Sequence, residues 1–197
     1  MQSDIHKIIL ASKSPRRIEL IQRLGLPFEV KAIDVDETFN DDFSIQDNIV
    51  RVAYKKANAV KDIMSINDNE VIIGCDTVVC INDKVLTKPK DKDDAFNTLK
   101  LLSATYHNVI SGVCLLTKNK TITFTQSTKV EFSDMSDDEI NYYINTGEVF
   151  DKAGSYAIQG NGSLFIKSID GDYYNVMGLP LSKLYQMFKE IFGYTLK

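Results

Sequence analysis

The longest apolar run in the chain is VIIGCDTVVCI at residues 71–81, and it limits the folds that are available. It falls well short of the roughly 18 apolar residues that a membrane-spanning helix requires, and Asp76 interrupts it near its centre. We interpret residues 71–87 as two strands that turn at Asn82-Asp83. A carboxylate buried without a partner would cost several kcal/mol, so Asp76 must pair with a cation or lie at a cleft.

Helical and strand patterns alternate along the rest of the chain. Strands are indicated by short apolar or alternating runs, over residues 7–11, 28–35, 108–117, 120–132 and short stretches within 155–169. Helices are indicated by apolar residues at helical spacing, beginning near Ser14, Ser44, Asp91 and Ser136 and covering residues 181–192 at the end. Alternating helices and strands with local hairpins predict a mixed-sheet α/β protein.

Length and charge exclude several classes of protein. The 197 residues suffice for one domain with two lobes, and 44% apolar with 25% charged residues is typical of a globular chain. The net charge of −4 argues against a nucleic-acid polymer as partner. Residues 1–26 nevertheless hold five basic residues against two acidic ones. A compact basic cluster in an acidic protein suits a small anion.

Cysteine usage and the first residues bear on location. Cys75, Cys80 and Cys114 are an odd number without CxxC spacing, which indicates reduced thiols in a cytoplasmic chain and, most simply, three small core residues. Residues 1–10 lack the long apolar core and cleavage site of a signal peptide, so we expect none. No segment predicts a membrane span.

The segment LASKSPRR at residues 10–17 is the first candidate site. A buried strand leads into a Ser-rich turn and a helix start, where backbone N–H groups and the positive end of the helix dipole favour an anion. Arg16 and Arg17 add fork-shaped donors that match phosphate oxygens, and Ser12 and Ser14 add hydroxyls. The alternative is a capped helix with two solvated arginines.

Asp76 and Lys88 form the second candidate. A carboxylate within an apolar strand is typical of catalysis, although an aspartate that caps a loop at a strand end would look the same. Pro89 holds Lys88 extended, and the predicted hairpin returns Lys88 toward Asp76 for contact with a carboxylate or a phosphate. A Lys-Pro pair alone is usually a surface loop.

Three further polar residues are weaker candidates. Gln159, between glycine-rich turns, offers the donor and the acceptor needed to read the edge of a base. Glu37 belongs to an acidic stretch whose oxygens suit Mg²⁺, although such stretches are usually solvated loops. Lys56 lies beside Ala53 and Ala57 on a predicted helix, which would place its stem along the core-facing edge, although a solvated lysine is the default interpretation there.

Taken together, these segments resemble the Maf family of nucleoside triphosphate pyrophosphatases. The resemblance extends from residue 10 to residue 181, so it covers nearly the whole chain and implies a single Maf-like domain over residues 1–197. The matching strings are LASKSPRRIELIQRLG, GCDTVV followed by KP, LKLLSATYHNVISGV, AGSYAIQGNG and NVMGLPL.

The resemblance implies a role for each matching residue. Asp76 matches the catalytic base. Glu37 and Asp76 are the candidate ligands of a divalent cation, Mg²⁺ or Mn²⁺, and the alternative role of Asp76 is to ligate the metal rather than to act as the base. The polar positions around the nucleotide are matched by Ser12, Arg16, Arg17, Glu37, Lys56, Lys88 and Gln159. The identities of Arg16, Thr77 and Gln159 go with a preference for dTTP and UTP over 7-methyl-GTP.

The resemblance also implies a fold and a reaction. The fold is similar to that of the inosine-triphosphate pyrophosphatases, two-lobed with the active cleft between the lobes and often a homodimer. The implied reaction is hydrolysis at the α–β linkage to a nucleoside monophosphate and pyrophosphate, which also serves to remove non-standard nucleotides. The competing hypothesis is a nucleotide-binding regulator of cell division and septum formation that acts through a protein partner. Asp76 and Lys88 are both retained, which favours the enzyme.

Overall fold

The structure is a computed structural model that describes residues 5–196. Its strands are β1 Lys7–Leu10, β2 Phe28–Val30, β3 Glu70–Ile81, β4 Lys84–Leu86, β5 Tyr106–Leu116, β6 Thr121–Phe132 and β7 Ile166–Asp170. Its α-helices are α1 Pro15–Gln22, α2 Ile45–Lys61, α3 Lys92–Leu102, α4 Asp137–Asn145, α5 Tyr173–Met177 and α6 Leu181–Phe192. Short 3-10 turns cover Glu148–Asp151, Ala153–Ser155 and Asn161–Phe165.

The strands form one mixed sheet in the order β2-β1-β3-β5-β6-β7, with β4 paired to β3. Strand β1 runs parallel to both β2 and β3, whereas β4 is antiparallel to β3 and β7 is antiparallel to β6. The prediction of a mixed-sheet α/β protein is therefore confirmed. None of the helices described between residues 5 and 196 combines the length and the apolar character that crossing a membrane demands.

The chain divides into two compact units. The first unit contains residues 1–76, 111–126 and 178–197, and the second contains residues 77–110 and 127–177. The single domain over residues 1–197 stays a prediction, and it includes residues 1–4 and 197, which lie outside the described part of the chain. The same holds for the signal-peptide interpretation, which depends partly on residues 1–4.

Helix α2 approaches the sheet of the first unit at backbone distance. Its buried residues Ala53, Ala57 and Val60 share an apolar cluster with Ile72 of β3. A Cβ atom added at Gly74 would lie 2.1 Å from the Ala53 carbonyl oxygen, so only glycine permits this approach. The predicted helix start is confirmed, because the Ser44 hydroxyl accepts a 3.0 Å hydrogen bond from the Asp47 N–H.

The second unit has its own core. Helices α3 and α4 and the strand residues around them enclose a cluster that includes Leu99, Phe132, Ile140 and Tyr143. The capping box predicted before α4 is also present, with the Ser136 side chain and the Glu139 side chain each accepting from the other's backbone N–H.

Strands were predicted within residues 155–169, and most of that prediction is wrong. Only Ile166–Asp170 is a strand. Ala153–Ser155 and Asn161–Phe165 are 3-10 turns, and residues 156–160 between them are an irregular turn. Gly154 and Ser155 both have positive φ, at 69° and 61°, which breaks an extended chain. Periodicity alone does not distinguish such turns from short strands.

His107 is buried in the core of the second unit. Its Nε2 atom lies 2.7 Å from the Tyr156 hydroxyl oxygen, and its ring meets Phe132 edge-on at 5.0 Å between centroids. Burial lowers the pKa of His107 to about 4. The folded protein therefore holds this imidazole neutral at pH values at which an exposed histidine is charged.

We expect the free energy of unfolding to decrease as the pH falls from 6.5 toward 4. In this window the unfolded chain protonates His107, whose ordinary pKa is 6.5, while the folded chain does not. This difference in pKa corresponds to roughly 3 kcal/mol. Urea titrations of the wild type and of His107→Gln at pH 7 and near pH 4 measure this change in the free energy of unfolding. An equal loss in both proteins would contradict the assignment.

All three cysteines are free and buried, as predicted. Burial raises the pKa of the Cys114 thiol to about 12, and it raises the pKa of Cys80 as well, with Asp83 adding to the effect. The thiolate is the reactive form of cysteine, so these two side chains are inert in the folded protein.

Candidate active site

The turn between β1 and α1 is the first part of the site. Ser14 is extended and precedes Pro15 at the first helical position, as predicted, but its side chain makes no capping hydrogen bond. The buried Ser12 takes part in the turn, because its hydroxyl oxygen accepts a 3.3 Å hydrogen bond from the Ser14 N–H. The half-buried Arg16 and Arg17 lie in the first turn of the helix.

Arg17 joins three separate segments of the first unit. Its Nε donates to the Gly178 carbonyl at 2.8 Å, and its Nη1 donates to the Cys75 carbonyl at 2.8 Å and to the Ser12 hydroxyl at 3.2 Å. The Cys75 thiol donates to the same Gly178 carbonyl at 3.3 Å. Sequence reasoning missed both backbone carbonyls, because nothing in a sequence marks which carbonyl a side chain will reach.

Lys56 is the centre of the second part of the site. Its Nζ lies 2.7 Å from Asp76 Oδ1 and 2.8 Å from Glu37 Oε1. The side chains of Lys56 and Asp76 are only 13% and 12% exposed, whereas Glu37 is 57% exposed. The default interpretation of Lys56 as a solvated lysine is therefore wrong. The cation that the buried Asp76 requires is this lysine.

The close approach of α2 explains why Lys56 and Asp76 meet. Asp76 lies two residues after Gly74 in β3, so both point to the same face of the strand. Lys56 lies three residues after Ala53, so both lie on the same face of α2. The backbone contact between Gly74 and Ala53 therefore brings the ammonium and the carboxylate together.

Glu37 is placed by contacts on either side of it. The Lys55 ammonium donates to the Asp36 carbonyl at 2.9 Å and to its carboxylate at 3.2 Å. Arg51 donates to the Thr38 carbonyl at 3.3 Å. Hydrogen bonds from Thr38, and then the contact with Lys55, hold the pKa of Asp36 well below its usual range. This part of the acidic stretch is therefore tied to α2.

The other predicted site residues belong to the second unit. Thr77 follows Asp76 in β3 and is half-buried. Lys88 is exposed just beyond β4, and Gln159 is exposed in the turn between two 3-10 segments. The structure therefore gathers Ser12 with Arg17, and Glu37 with Lys56 and Asp76, within the first unit. It describes Thr77, Lys88 and Gln159 within the second.

Glu37 and Asp76 are the two residues of the site that could hold a divalent cation. Within residues 5–196, no group of three His, Cys, Asp or Glu side chains is arranged to hold a metal ion. Two carboxylates that already contact one ammonium nevertheless fit the way in which Mg²⁺ is usually bound, through one or two carboxylates with substrate phosphates completing the shell.

Comparison with known proteins places this arrangement in a family. A family model described as Maf-like protein matches residues 7–191. The chain belongs to the Maf family. Among Maf relatives, the dTTP/UTP pyrophosphatase of Clostridium novyi is 49% identical, with 94% of this chain and 97% of the relative covered. That of Bacillus pumilus is 44% identical, with 97% and 99% covered.

A solved structure is also similar to this Maf protein. The Staphylococcus aureus Ham1 protein matches 65% of this chain and 72% of its own, with 15% identity and a TM-score of 0.47.

Proposed function

We propose that this Maf protein hydrolyses nucleoside triphosphates, with dTTP and UTP as preferred substrates, to nucleoside monophosphate and pyrophosphate. The observation that carries the proposal is the buried carboxylate of Asp76 held on the Lys56 ammonium, next in sequence to the Cys75 carbonyl that Arg17 anchors. Relatives named dTTP/UTP pyrophosphatase, nearly as long as this chain, support the choice of substrate.

Asp76 is the group that accepts a proton. Its Oδ1 atom accepts a 2.7 Å hydrogen bond from Lys56, which helps to hold the carboxylate in place. The carboxylate takes a proton from a water molecule as the water oxygen forms a bond to phosphorus at the α–β linkage. The anhydride bond breaks, and pyrophosphate leaves with its electron pair.

Arg16, Lys56 and Lys88 supply positive charge for the triphosphate, and the N–H groups at the start of α1 supply further donors. We assign Arg17 a positioning role, because three hydrogen bonds from its guanidinium go to protein oxygens. It orients the Ser12 hydroxyl, which we propose donates to a phosphate oxygen.

Glu37 and Asp76 would hold a divalent cation, Mg²⁺ or Mn²⁺. When bound, such a cation neutralises negative charge on the triphosphate as the reaction proceeds. Lys56 contacts both carboxylates, and its positive charge offsets the repulsion between them.

The test is pyrophosphate release from dTTP, UTP, CTP, ATP, GTP and 7-methyl-GTP with Mg²⁺, with Mn²⁺ and with excess EDTA. We expect turnover of dTTP and UTP that EDTA abolishes. Nucleotide binding without turnover of any of the six would overturn the proposal and favour a regulator that acts through a protein partner.

Gln159 is the residue to which we assign base recognition, together with Thr77. A site built to hydrogen-bond a base edge discriminates by about 10⁴-fold or more, because the wrong base leaves polar groups unpaired. We expect Gln159→Ala to reduce the ratio of kcat/KM for dTTP over ATP, mainly through loss of dTTP turnover. Steady-state kinetics with both nucleotides measure it, and an unchanged ratio would contradict the assignment.

The expected assembly and location are a homodimer in the cytoplasm. Sedimentation equilibrium of the purified protein tests the first, and fractionation of the cells that produce it tests the second.

A further inference from the structure

The turn that carries Gln159 is held by a carboxylate from another segment of the second unit. The half-buried Glu148 accepts a 3.0 Å hydrogen bond from the Asn161 N–H through Oε2. Its Oε1 atom accepts from the Gly162 N–H at 3.4 Å. Gln159 therefore lies just before two backbone groups that converge on one side chain.

Tyr143 ties the other side of the same turn. Its hydroxyl donates to Glu148 Oε1 at 2.7 Å and accepts from the Ala157 N–H at 3.2 Å. The tyrosine is fully buried. Burial, with a further contribution from Glu148, raises the pKa of Tyr143 well above its usual range, so the hydroxyl keeps the proton that it donates.

Two glycines allow the carboxylate and the phenol to lie against the backbone. A Cβ atom at Gly160 would lie 2.1 Å from Glu148 Oε2, and one at Gly162 would lie 2.7 Å from the Tyr143 hydroxyl. Gly147 adopts a left-handed conformation, with φ of 76°, directly before Glu148. The sequence TGE at residues 146–148 thus turns the chain after α4 so that Glu148 faces the Gln159 turn.

The Gln159 side chain has no anchor of its own. It is exposed, and within residues 5–196 it makes no hydrogen bond. Its position is therefore set by the backbone between residues 157 and 161, which are the residues that Tyr143 and Glu148 hold. Side chains that recognise a ligand need this kind of support, because a displacement of about 1 Å is costly at such sites.

We propose that Tyr143 and Glu148 are positioning residues for base recognition, which fix the backbone of the turn so that Gln159 meets the base edge of the nucleotide. The inference rests on the proposed function and extends it to two residues that do not touch the substrate.

Tyr143→Phe is the sharpest test, because it removes one oxygen and keeps the ring in the core. Tyr142→Phe is the matched control, since Tyr142 is the neighbouring tyrosine on α4 and is 71% exposed. Gly160→Ala is a second test, because the added Cβ atom would displace the Glu148 carboxylate while Tyr143 and Glu148 themselves are not substituted. The melting temperature of each variant is measured as the control for folding.

Selectivity for dTTP over ATP is measured in two ways. The first is kcat/KM for dTTP divided by kcat/KM for ATP, and the second is Kd for ATP divided by Kd for dTTP, both Kd values being measured without metal. We expect Tyr143→Phe and Gly160→Ala to reduce both ratios by at least about tenfold, mainly through KM and Kd, with kcat changed less. Tyr142→Phe keeps both ratios. In a Gln159→Ala background, Tyr143→Phe has little further effect, because the two residues act through one contact.

The outcomes separate the two proposals. A wild type that binds dTTP selectively and hydrolyses neither nucleotide overturns the proposed function, and the Kd ratios of the variants then decide the positioning role. Wild-type ratios in a folded Tyr143→Phe variant overturn the positioning role while hydrolysis stands. Additive effects of Tyr143→Phe and Gln159→Ala overturn it as well, because they show two independent contributions. A wild type that neither binds nor hydrolyses overturns both.

Discussion

Replacing Asp76 with asparagine is expected to reduce the rate of pyrophosphate release from dTTP by about 100- to 10,000-fold, the usual contribution of a general base. Asparagine is nearly the same size as aspartate, and its amide oxygen still accepts the hydrogen bond from Lys56. Its side chain cannot take a proton from water. We therefore expect kcat to fall while KM for dTTP changes only a few-fold.

Asp170→Asn is the matched control, because Asp170 is an exposed aspartate at the end of β7. It makes the same chemical change away from Lys56 and should leave turnover unchanged. The melting temperature of Asp76→Asn establishes that the variant folds, since Lys56 retains Glu37 as a partner at 2.8 Å. If the Asp76→Asn variant turned over dTTP at close to the wild-type rate, Asp76 would not be the base.

Gly74→Ala is expected to have the largest effect on stability. The added methyl would lie 2.1 Å from the Ala53 carbonyl oxygen, which belongs to a helix backbone and cannot rotate away. Overpacking typically costs about 1 to 3 kcal/mol, and a collision with rigid backbone belongs at or above the upper end. For a chain of this length, we expect the melting temperature to fall by at least about 6 °C.

The loss of stability should come with a loss of activity. Helix α2 must move away from β3 to admit the methyl, and that movement separates Lys56 from Asp76. Gly147→Ala is the comparison, because a Cβ atom there meets nothing within 4 Å and the cost arises only from φ of 76°. A left-handed residue costs about 1 to 2 kcal/mol. Equal losses of stability in the two variants would show that α2 yields easily, contrary to our expectation.

Much of the fold follows from local sequence. The apolar residues Ile49, Val52, Ala53, Ala57 and Val60 recur at helical spacing, and all five are buried on one face of α2. The start of α2 and the start of α4 were also predictable, because capping chemistry depends on residues three positions apart. Local patterns of this kind do not need the rest of the structure.

The predictions that failed depended on contacts between distant segments. Ala53 and Ala57 place the stem of Lys56 at the core-facing edge of its helix, but its pairing with Asp76 depends on Gly74 in β3, which admits α2 at close range. The segment 155–165 looked like strands because its turns are specified by Glu148 and Tyr143, which precede it in the chain. The sequence pattern within a segment does not show which residues elsewhere in the chain will contact it.

The burial of the cysteines gives this protein built-in reporters of local opening. Cys75 and Cys114 belong to the first unit, and Cys80 belongs to the second. A thiol reagent in solution can modify each only when the surrounding segment opens, so the rate of modification at each cysteine measures an opening equilibrium. Site-resolved mass spectrometry would thus follow the two units separately in the unaltered chain. A cysteine introduced at the surface would, in turn, take a spectroscopic label selectively.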